Sequence, residues 1–177
     1  MDYQDLFARN LGVLSPAEQE KIRCGRILIV GCGGIGGTVA VALARSGGEH
    51  FTLVEFDAYT ASNMNRQVAC FAHTMGRNKA EVIAECIRAI NPQASVTVFA
   101  RKLDHSELEP HVLDADVVFP AADDFAFSIM LFRMAQSLGR PSLLIIPAGA
   151  WAAVAMVMPR GPRAELIGGC PFMKTYE

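Results

Sequence analysis

The sequence predicts an α/β fold: a Rossmann-like, doubly wound, mostly parallel sheet with helices on both faces. Three observations carry that prediction. In residues 26–37 four apolar residues, Ile27, Leu28, Ile29 and Val30, run straight into a glycine cluster. Helical spacing then follows at Val39, Ala40, Leu43 and Ala44, which together reads as strand, tight turn and helix. The same alternation of a short apolar run with a helical period recurs to about residue 158. Gly31, Gly33 and Gly36 keep the G-x-G-x-x-G spacing: the first permits the turn, the second lets backbone approach a phosphate, and the third lets helix pack on strand. Such a turn ends at a helix N-terminus, where free N–H groups and the positive end of the dipole attract anions, so a nucleotide is expected there.

The elements follow in order. Residues 15–24 form a helix with Ser15 as N-cap, Pro16 at its first position and Glu18 completing a capping box. Ahead of it Leu6, Phe7 and Leu11 accompany Arg9 in an arm that stays poorly ordered unless something ties it down, and a neighbouring subunit is expected to do so. The helix after the glycines ends at Ser46-Gly47-Gly48, with Arg45 in its last turn. A strand over residues 51–56 carries Glu55, 19 residues after Gly36, where a carboxylate can hydrogen-bond ribose hydroxyls. Up to this point NAD and ATP fit equally well.

The next block, Ser62-Asn63-Met64-Asn65-Arg66-Gln67, has neither strand nor helix period and reads as a ligand-contacting loop. A helix over residues 76–90 puts Ala80, Ile83, Ala84, Ile87 and Ile90 on one face and stops at Asn91-Pro92. Lys79 sits in its first turn, where the dipole opposes a cation by a few tenths of a kcal/mol and a bound anion would offset that cost. Strand 94–99, an irregular helix over 106–113 and strand 116–119 lead to Asp123 and Asp124. These lie just past a strand's carboxyl end, the place where open α/β sheets bind ligands. They read either as a magnesium position or as a helix N-cap pair. Helix 125–138, strand 142–146 and strand 152–158 complete the alternation, and residues 159–177 form a Pro- and Gly-rich tail. The expected organisation is an arm and helix at a dimer contact (1–25), a nucleotide-binding domain (26–158) and the tail.

Composition bounds the partners. The hydrophobic fraction of 51% is high for a soluble monomer and points to apolar surface covered by a second subunit. Sixteen basic against eighteen acidic residues leave no electrostatic footprint for nucleic acid. The apolar run over residues 143–158 is broken by Pro147 and Gly149 and is too short for a bilayer; it reads as two buried strands. The polar, acidic N-terminus excludes a signal peptide and points to the cytoplasm. Five scattered cysteines, Cys24, Cys32, Cys70, Cys86 and Cys170, read as reduced thiols, mostly in the core. Met130, Met134, Met156 and Met158 are placed in the core, and no histidine is given a role.

Taken together, these residues resemble the ThiF/MoeB/HesA family, relatives of ubiquitin-activating enzymes. The pieces that carry the resemblance are Arg9-Asn10, the glycine motif with Gly34, Glu55-Phe56-Asp57, the S-N-x-N-R-Q block, Gly76-Arg77-Asn78-Lys79-Ala80, Asn91-Pro92 and Asp123, in the family's order over roughly residues 9–158. The resemblance implies ATP-dependent adenylation of a carboxylate, commonly the C-terminal glycine of a small ubiquitin-like or sulfur-carrier protein. It further implies that Glu55 holds the ribose, that Asn63, Arg66, Gln67 and Lys79 hold the phosphates, that Asp123 binds magnesium, and that Arg9 reaches into a partner subunit's site in a homodimer. Glu55 stands where aspartate is usual, Asp124 where asparagine is usual, Ser128 where arginine is common, and Pro120 where an acid is usual. Cys170-Pro171-Phe172-Met173 lacks the second cysteine of the family's C-x-x-C, so no zinc is expected. The chain also stops before the region that carries a reactive cysteine in thioester-forming members, so adenylation without cysteine chemistry, or a shortened chain, is expected. The rival expectations are a non-catalytic scaffold that keeps the fold and, on the glycine motif and Glu55 alone, an NAD-dependent oxidoreductase.

Overall fold

The structure is a computed structural model in which residues 2–148 and 150–167 are described. Six strands form one sheet in the order β3-β2-β1-β4-β5-β6. The first strand, β1 (Arg26–Val30), lies between β2 (His50–Val54) and β4 (Val117–Pro120) and is parallel to both. On one side β3 (Ser95–Phe99) pairs in parallel with β2, and on the other β5 (Ser142–Ala148) pairs in parallel with β4. The edge strand β6 (Trp151–Val157) runs antiparallel to β5. The chain therefore winds outward from β1 to β3 and then returns to β4 on the far side of β1. The connections leaving β1 and β4 diverge, which opens a crevice at the carboxyl ends of these strands.

Helices α3 (Gly34–Arg45) and α4 (Lys79–Ile90) cover one face; α5 (His105–Asp114) and α6 (Phe125–Ser137) cover the other. Strand β1 feeds both cores. Ile27 and Ile29 pack with Ala40, Ala44, Ile83 and Ile87, while Leu28 and Val30 pack with Leu108, Val112, Leu131 and Met134. A strand buried on both faces needs apolar residues at every position, which is why this run shows no alternation. Each such side chain contributes about 1.5–3 kcal/mol on burial.

The arm departs from expectation, because the chain's own residues tie it down. It forms α1 (Tyr3–Phe7) and a single 3-10 turn over Ala8–Asn10, with Tyr3 and Phe7 buried. Helix α2 (Pro16–Cys24) begins with the expected capping box, in which the Ser15 N–H donates to Glu18 Oε2 at 2.8 Å. These backbone and hydroxyl bonds hold the Glu18 carboxyl below its ordinary range. Its Gln19 is the hub of the attachment. Gln19 Nε2 donates to Tyr3 Oη at 2.8 Å and to the Ser46 carbonyl at 2.9 Å, and Asn10 Nδ2 donates to Gln19 Oε1 at 3.0 Å. Tyr3 Oη in turn donates to the Gly47 carbonyl at 2.8 Å. Carbonyls at the end of a helix have no partner within it, and the arm supplies the missing donors. Gln19→Ala is therefore expected to cost about 1–3 kcal/mol, as buried partners lose their bonds. The check is a thermal melt, in which each kcal/mol lowers Tm by about 2–4 °C for a chain of this size.

Three further differences have local causes. Helix α4 starts at Lys79 rather than near Gly76, because Gly76 has a φ of +76° and Asn78 serves as the N-cap. The run over residues 143–158 is only half buried: Val157 is fully enclosed, but Val154, Met156 and Met158 on and just past β6 are exposed, so only Met134 and in part Met130 occupy the core. The tail begins with a short helix, α7 (Ala164–Ile167), whose Glu165 accepts from Arg133 Nε at 2.7 Å. Cys170 and Met173 lie outside the described residues. Among the described residues Cys24, Cys32, Cys70 and Cys86 are free thiols, and Cys24 is exposed. No helix among them is long and apolar enough to cross a membrane.

Candidate active site

A cleft of about 610 Å³ opens at the carboxyl ends of β1, β2 and β4. Its floor is the glycine turn. Gly31 has a φ of +98°, and a Cβ there would lie 2.5 Å from the Ala121 backbone carbonyl carbon. A Cβ on Gly36 would lie 1.8 Å from the Gly31 carbonyl oxygen. The first glycine thus lets the β4–α6 connection cross the turn, and the third lets α3 seat against it. Gly33 is the N-cap of α3 and offers no side-chain cap, so the first amides of the helix, starting at Gly34, are left for another acceptor.

Two buried charged side chains frame this floor. Glu55, 8% exposed, follows β2 directly; its Oε2 accepts from the Cys32 N–H and its Oε1 from the Asp57 N–H, both at 2.9 Å. A carboxylate has about four lone-pair sites, so two backbone donors leave capacity for hydroxyl groups. Lys79, with a side chain 8% exposed, places Nζ 3.2 Å from Asp57 Oδ2. Burial, reinforced by the Glu55 carboxylate, pushes the Cys32 thiol well above its ordinary range, so it stays protonated and is no nucleophile.

The pair at residues 123 and 124 divides its roles. Both carboxylates are exposed and line the cleft, but Asp124 is also the N-cap of α6, its Oδ1 accepting from the Phe127 N–H at 3.0 Å, a role Asp123 does not share. Ser128 does not reach the cleft: its hydroxyl donates to the Ala122 carbonyl at 3.0 Å and steadies the loop that carries Asp123. Among the described residues no group of three or more His, Cys, Asp or Glu side chains could hold a metal ion by itself. A lone carboxylate suits magnesium, which fills its shell with water and phosphate oxygens.

The polar block lies against the start of α3 rather than on the cleft wall. Buried Asn63 accepts from the Thr60 N–H at 3.0 Å and from Thr60 Oγ1 at 3.1 Å, which shapes the loop. Gln67 is buried beside Gly33, its Nε2 3.6 Å from where a Cβ would stand, and its Oε1 has no partner. Arg66 is exposed and folds back, Nη1 donating to the Ser62 carbonyl at 2.8 Å and to Asn65 Oδ1 at 3.1 Å. Arg9 is farther away. It is exposed beside Asn10, which bonds the Ser46 carbonyl at the far end of α3, about 18 Å from the glycine turn for a 12-residue helix.

Sequence reasoning missed one wall. The segment between β3 and α5 brings Arg101, Lys102, Leu103 and His105 to the cleft, which Phe127 and Met130 of α6 also line. Lys102 Nζ sits 4.3 Å from the Phe56 ring centroid, and Arg101 pairs with Glu107 at 2.7 Å. The rule that placed Asp123 at a strand's carboxyl end applies equally to the residues following β3 and could have found them.

The chain is 34% identical over 108 residues to the molybdopterin-synthase adenylyltransferase of Escherichia coli, covering 61% of this chain and 43% of that protein. It is 31% identical over 128 residues to the SAMP-activating enzyme E1 of Haloferax volcanii, covering 72% of this chain and 47% of that one. The crystal structure of E. coli tRNA threonylcarbamoyladenosine dehydratase in complex with ATP superposes with a TM-score of 0.75 at 28% identity, over 78% of this chain and 58% of that one. The chain thus spans about half or less of the length of the curated relatives it matches. The model of the ThiF family matches residues 7–172, nearly the whole sequence, and the chain belongs to the ThiF family.

Proposed function

We propose that this protein is an ATP- and magnesium-dependent adenylyltransferase. Its second substrate is a carboxylate, the C-terminus of a small ubiquitin-like or sulfur-carrier protein or of a peptide. The observation that carries this reading is the convergence of an uncapped helix start, buried Glu55, buried Lys79 and exposed Asp123 on one cleft. An NAD-dependent oxidoreductase has no use for Lys79 and Asp123 in those places. The relatives' names, an adenylyltransferase and an activating enzyme, and the ATP-bound neighbour support the choice.

In the reaction a carboxylate oxygen forms a bond to the α-phosphorus, and the bond from that phosphorus to the bridging oxygen of the β-phosphate breaks. Pyrophosphate leaves with the electron pair. No general base is needed, because a carboxylate is already ionised at pH 7. The residues orient two anions and lower their repulsion. Glu55 holds the ribose while bracing the glycine turn, and the amides from Gly33 and Gly34 meet the phosphates. Lys79 is released from Asp57 to a phosphate oxygen. Gln67 offers the side chain beside Gly33, Asn63 shapes the loop, and Arg66 swings from Ser62 to the phosphates.

The cleft alone is poorly suited to a triphosphate: six carboxylates line it (Glu55, Asp57, Asp104, Glu107, Asp123 and Asp124) against the cations Lys79, Arg101 and Lys102. Asp123 would hold magnesium, which supplies the missing positive charge. The remaining cation comes from a second subunit. Arg9 lies too far from its own cleft, and exposed Leu11, Val13, Val68 and Phe71 provide apolar surface for a homodimer contact. The functional division is residues 1–25 for dimer contact, 26–158 for the nucleotide and 159–177 as tail. The setting is the cytoplasm, with neither zinc, membrane nor nucleic acid involved.

Calorimetric titration of the full chain with ATP, with and without magnesium, and with NAD, tests the reading. Magnesium-dependent ATP binding and no comparable NAD binding are expected. Absence of binding by either nucleotide would instead favour a non-catalytic scaffold.

A further inference from the structure

Asn78 occupies a position that the G-x-x-K-A pattern leaves open, yet its side chain joins two walls of the cleft. Its Oδ1 accepts from the Ala80 N–H at 2.9 Å and the Glu81 N–H at 3.2 Å, closing the first turn of α4. Its Nδ2 donates to the backbone carbonyl of Glu55 at 2.9 Å. From there a chain of bonds continues. The Lys79 N–H donates to the Asp57 carbonyl at 3.0 Å, the Asp57 N–H donates to Glu55 Oε1, and Glu55 Oε2 accepts the Cys32 N–H within the glycine turn. The start of α4, the end of β2 and the glycine turn are thereby held as one unit.

We infer that Asn78 is a positioning residue for nucleotide binding. Through the Glu55 carbonyl it fixes the distance between the Lys79 ammonium and the glycine turn before any ligand arrives. The inference rests on the ATP reading above. Its chemistry is specific to a primary amide, which offers an acceptor and a donor on one planar group. Aspartate has the same shape and keeps the cap, but it loses the donor and sets an oxygen against the Glu55 carbonyl. Asn78→Asp therefore separates the cap from the tie.

Two measurements on the full chain decide the matter. Hydrogen exchange without nucleotide is expected to show the Cys32 and Lys79 amides exchanging at least about tenfold faster in Asn78→Asp, while the Ala80 and Glu81 amides, still capped, keep their wild-type rates. Titration with Mg-ATP is expected to show about tenfold weaker binding, the loss of one positioned hydrogen bond. In the Lys79→Met background the same substitution is expected to have no further effect, because Asn78 acts through Lys79; a purely structural role would add independently. Wild-type binding of Mg-ATP together with unchanged exchange and affinity in Asn78→Asp, or additive losses in the double variant, overturns the role of Asn78 alone. Failure of the wild type to bind Mg-ATP overturns the ATP reading and, with it, this role.

Discussion

Gly36→Ala is expected to lower the stability of the fold by about 3 kcal/mol or more, the upper end of what overpacking costs. The added Cβ would stand 1.8 Å from the Gly31 carbonyl oxygen and 3.1 Å from Ala121 Cβ. The first of these neighbours is backbone and has no rotamer by which to yield. Relief requires moving α3 off the turn, and α3 is fixed by Ala40 and Ala44, both fully buried against the sheet. A fall in Tm of at least about 6 °C is therefore expected in a thermal melt. Gly34→Ala is the matched control. Its Cβ would meet only the Arg66 carbonyl oxygen at 3.5 Å and Arg66 Cγ at 3.8 Å, ordinary contacts, and alanine is favoured over glycine in a helix by up to about 1 kcal/mol. Equal melting of the two variants would show that the turn does not depend on the close approach at Gly36.

That contrast also shows what a sequence can and cannot convey. The spacing of Gly31, Gly33 and Gly36 was legible because each glycine answers a local need of backbone geometry, and so was the winding of the sheet, because βαβ units repeat the same switch of period. Ser15 as a cap was legible for the same local reason. The arm's attachment to its own chain was not legible, because the partners of Tyr3 and Asn10 are carbonyls at Gly47 and Ser46, more than 30 residues away. Asp123 and Asp124 look identical in sequence and both line the cleft; only the direction of α6 engages one as its cap and leaves the other without that bond. The wall from Arg101 to His105 carries no motif at all, and its place follows from the sheet order alone. The exposure of Met156 and Met158 was misjudged because hydropathy reports what a residue prefers, not whether an edge strand has a neighbour.

Lys79→Met is expected to leave the fold intact and to weaken Mg-ATP binding by about 30-fold to several thousandfold, the 2–5 kcal/mol lost when one partner of a buried charge contact is removed. The separation of the two effects follows from the site. The Lys79 side chain is 8% exposed, so its stem occupies apolar space that the unbranched methionine can fill. Its ion-pair partner Asp57 is 50% exposed and regains water when the ammonium goes, and buried Glu55 keeps its two backbone donors. Stability is therefore expected to change by less than about 1.5 kcal/mol. The ligand has no such substitute, since Lys79 is the buried cation at the glycine turn. Arg101→Met provides the comparison: that side chain is 56% exposed and paired with Glu107, so screening by water should hold its effect on affinity below about tenfold. Comparable losses in the two variants would mean that the cleft attracts the nucleotide by diffuse charge. A large loss at Lys79 alone, with an unchanged melt, would place the phosphates at the start of α3 and α4, where the hydrogen bonds of Glu55, Asp57 and Asn78 converge.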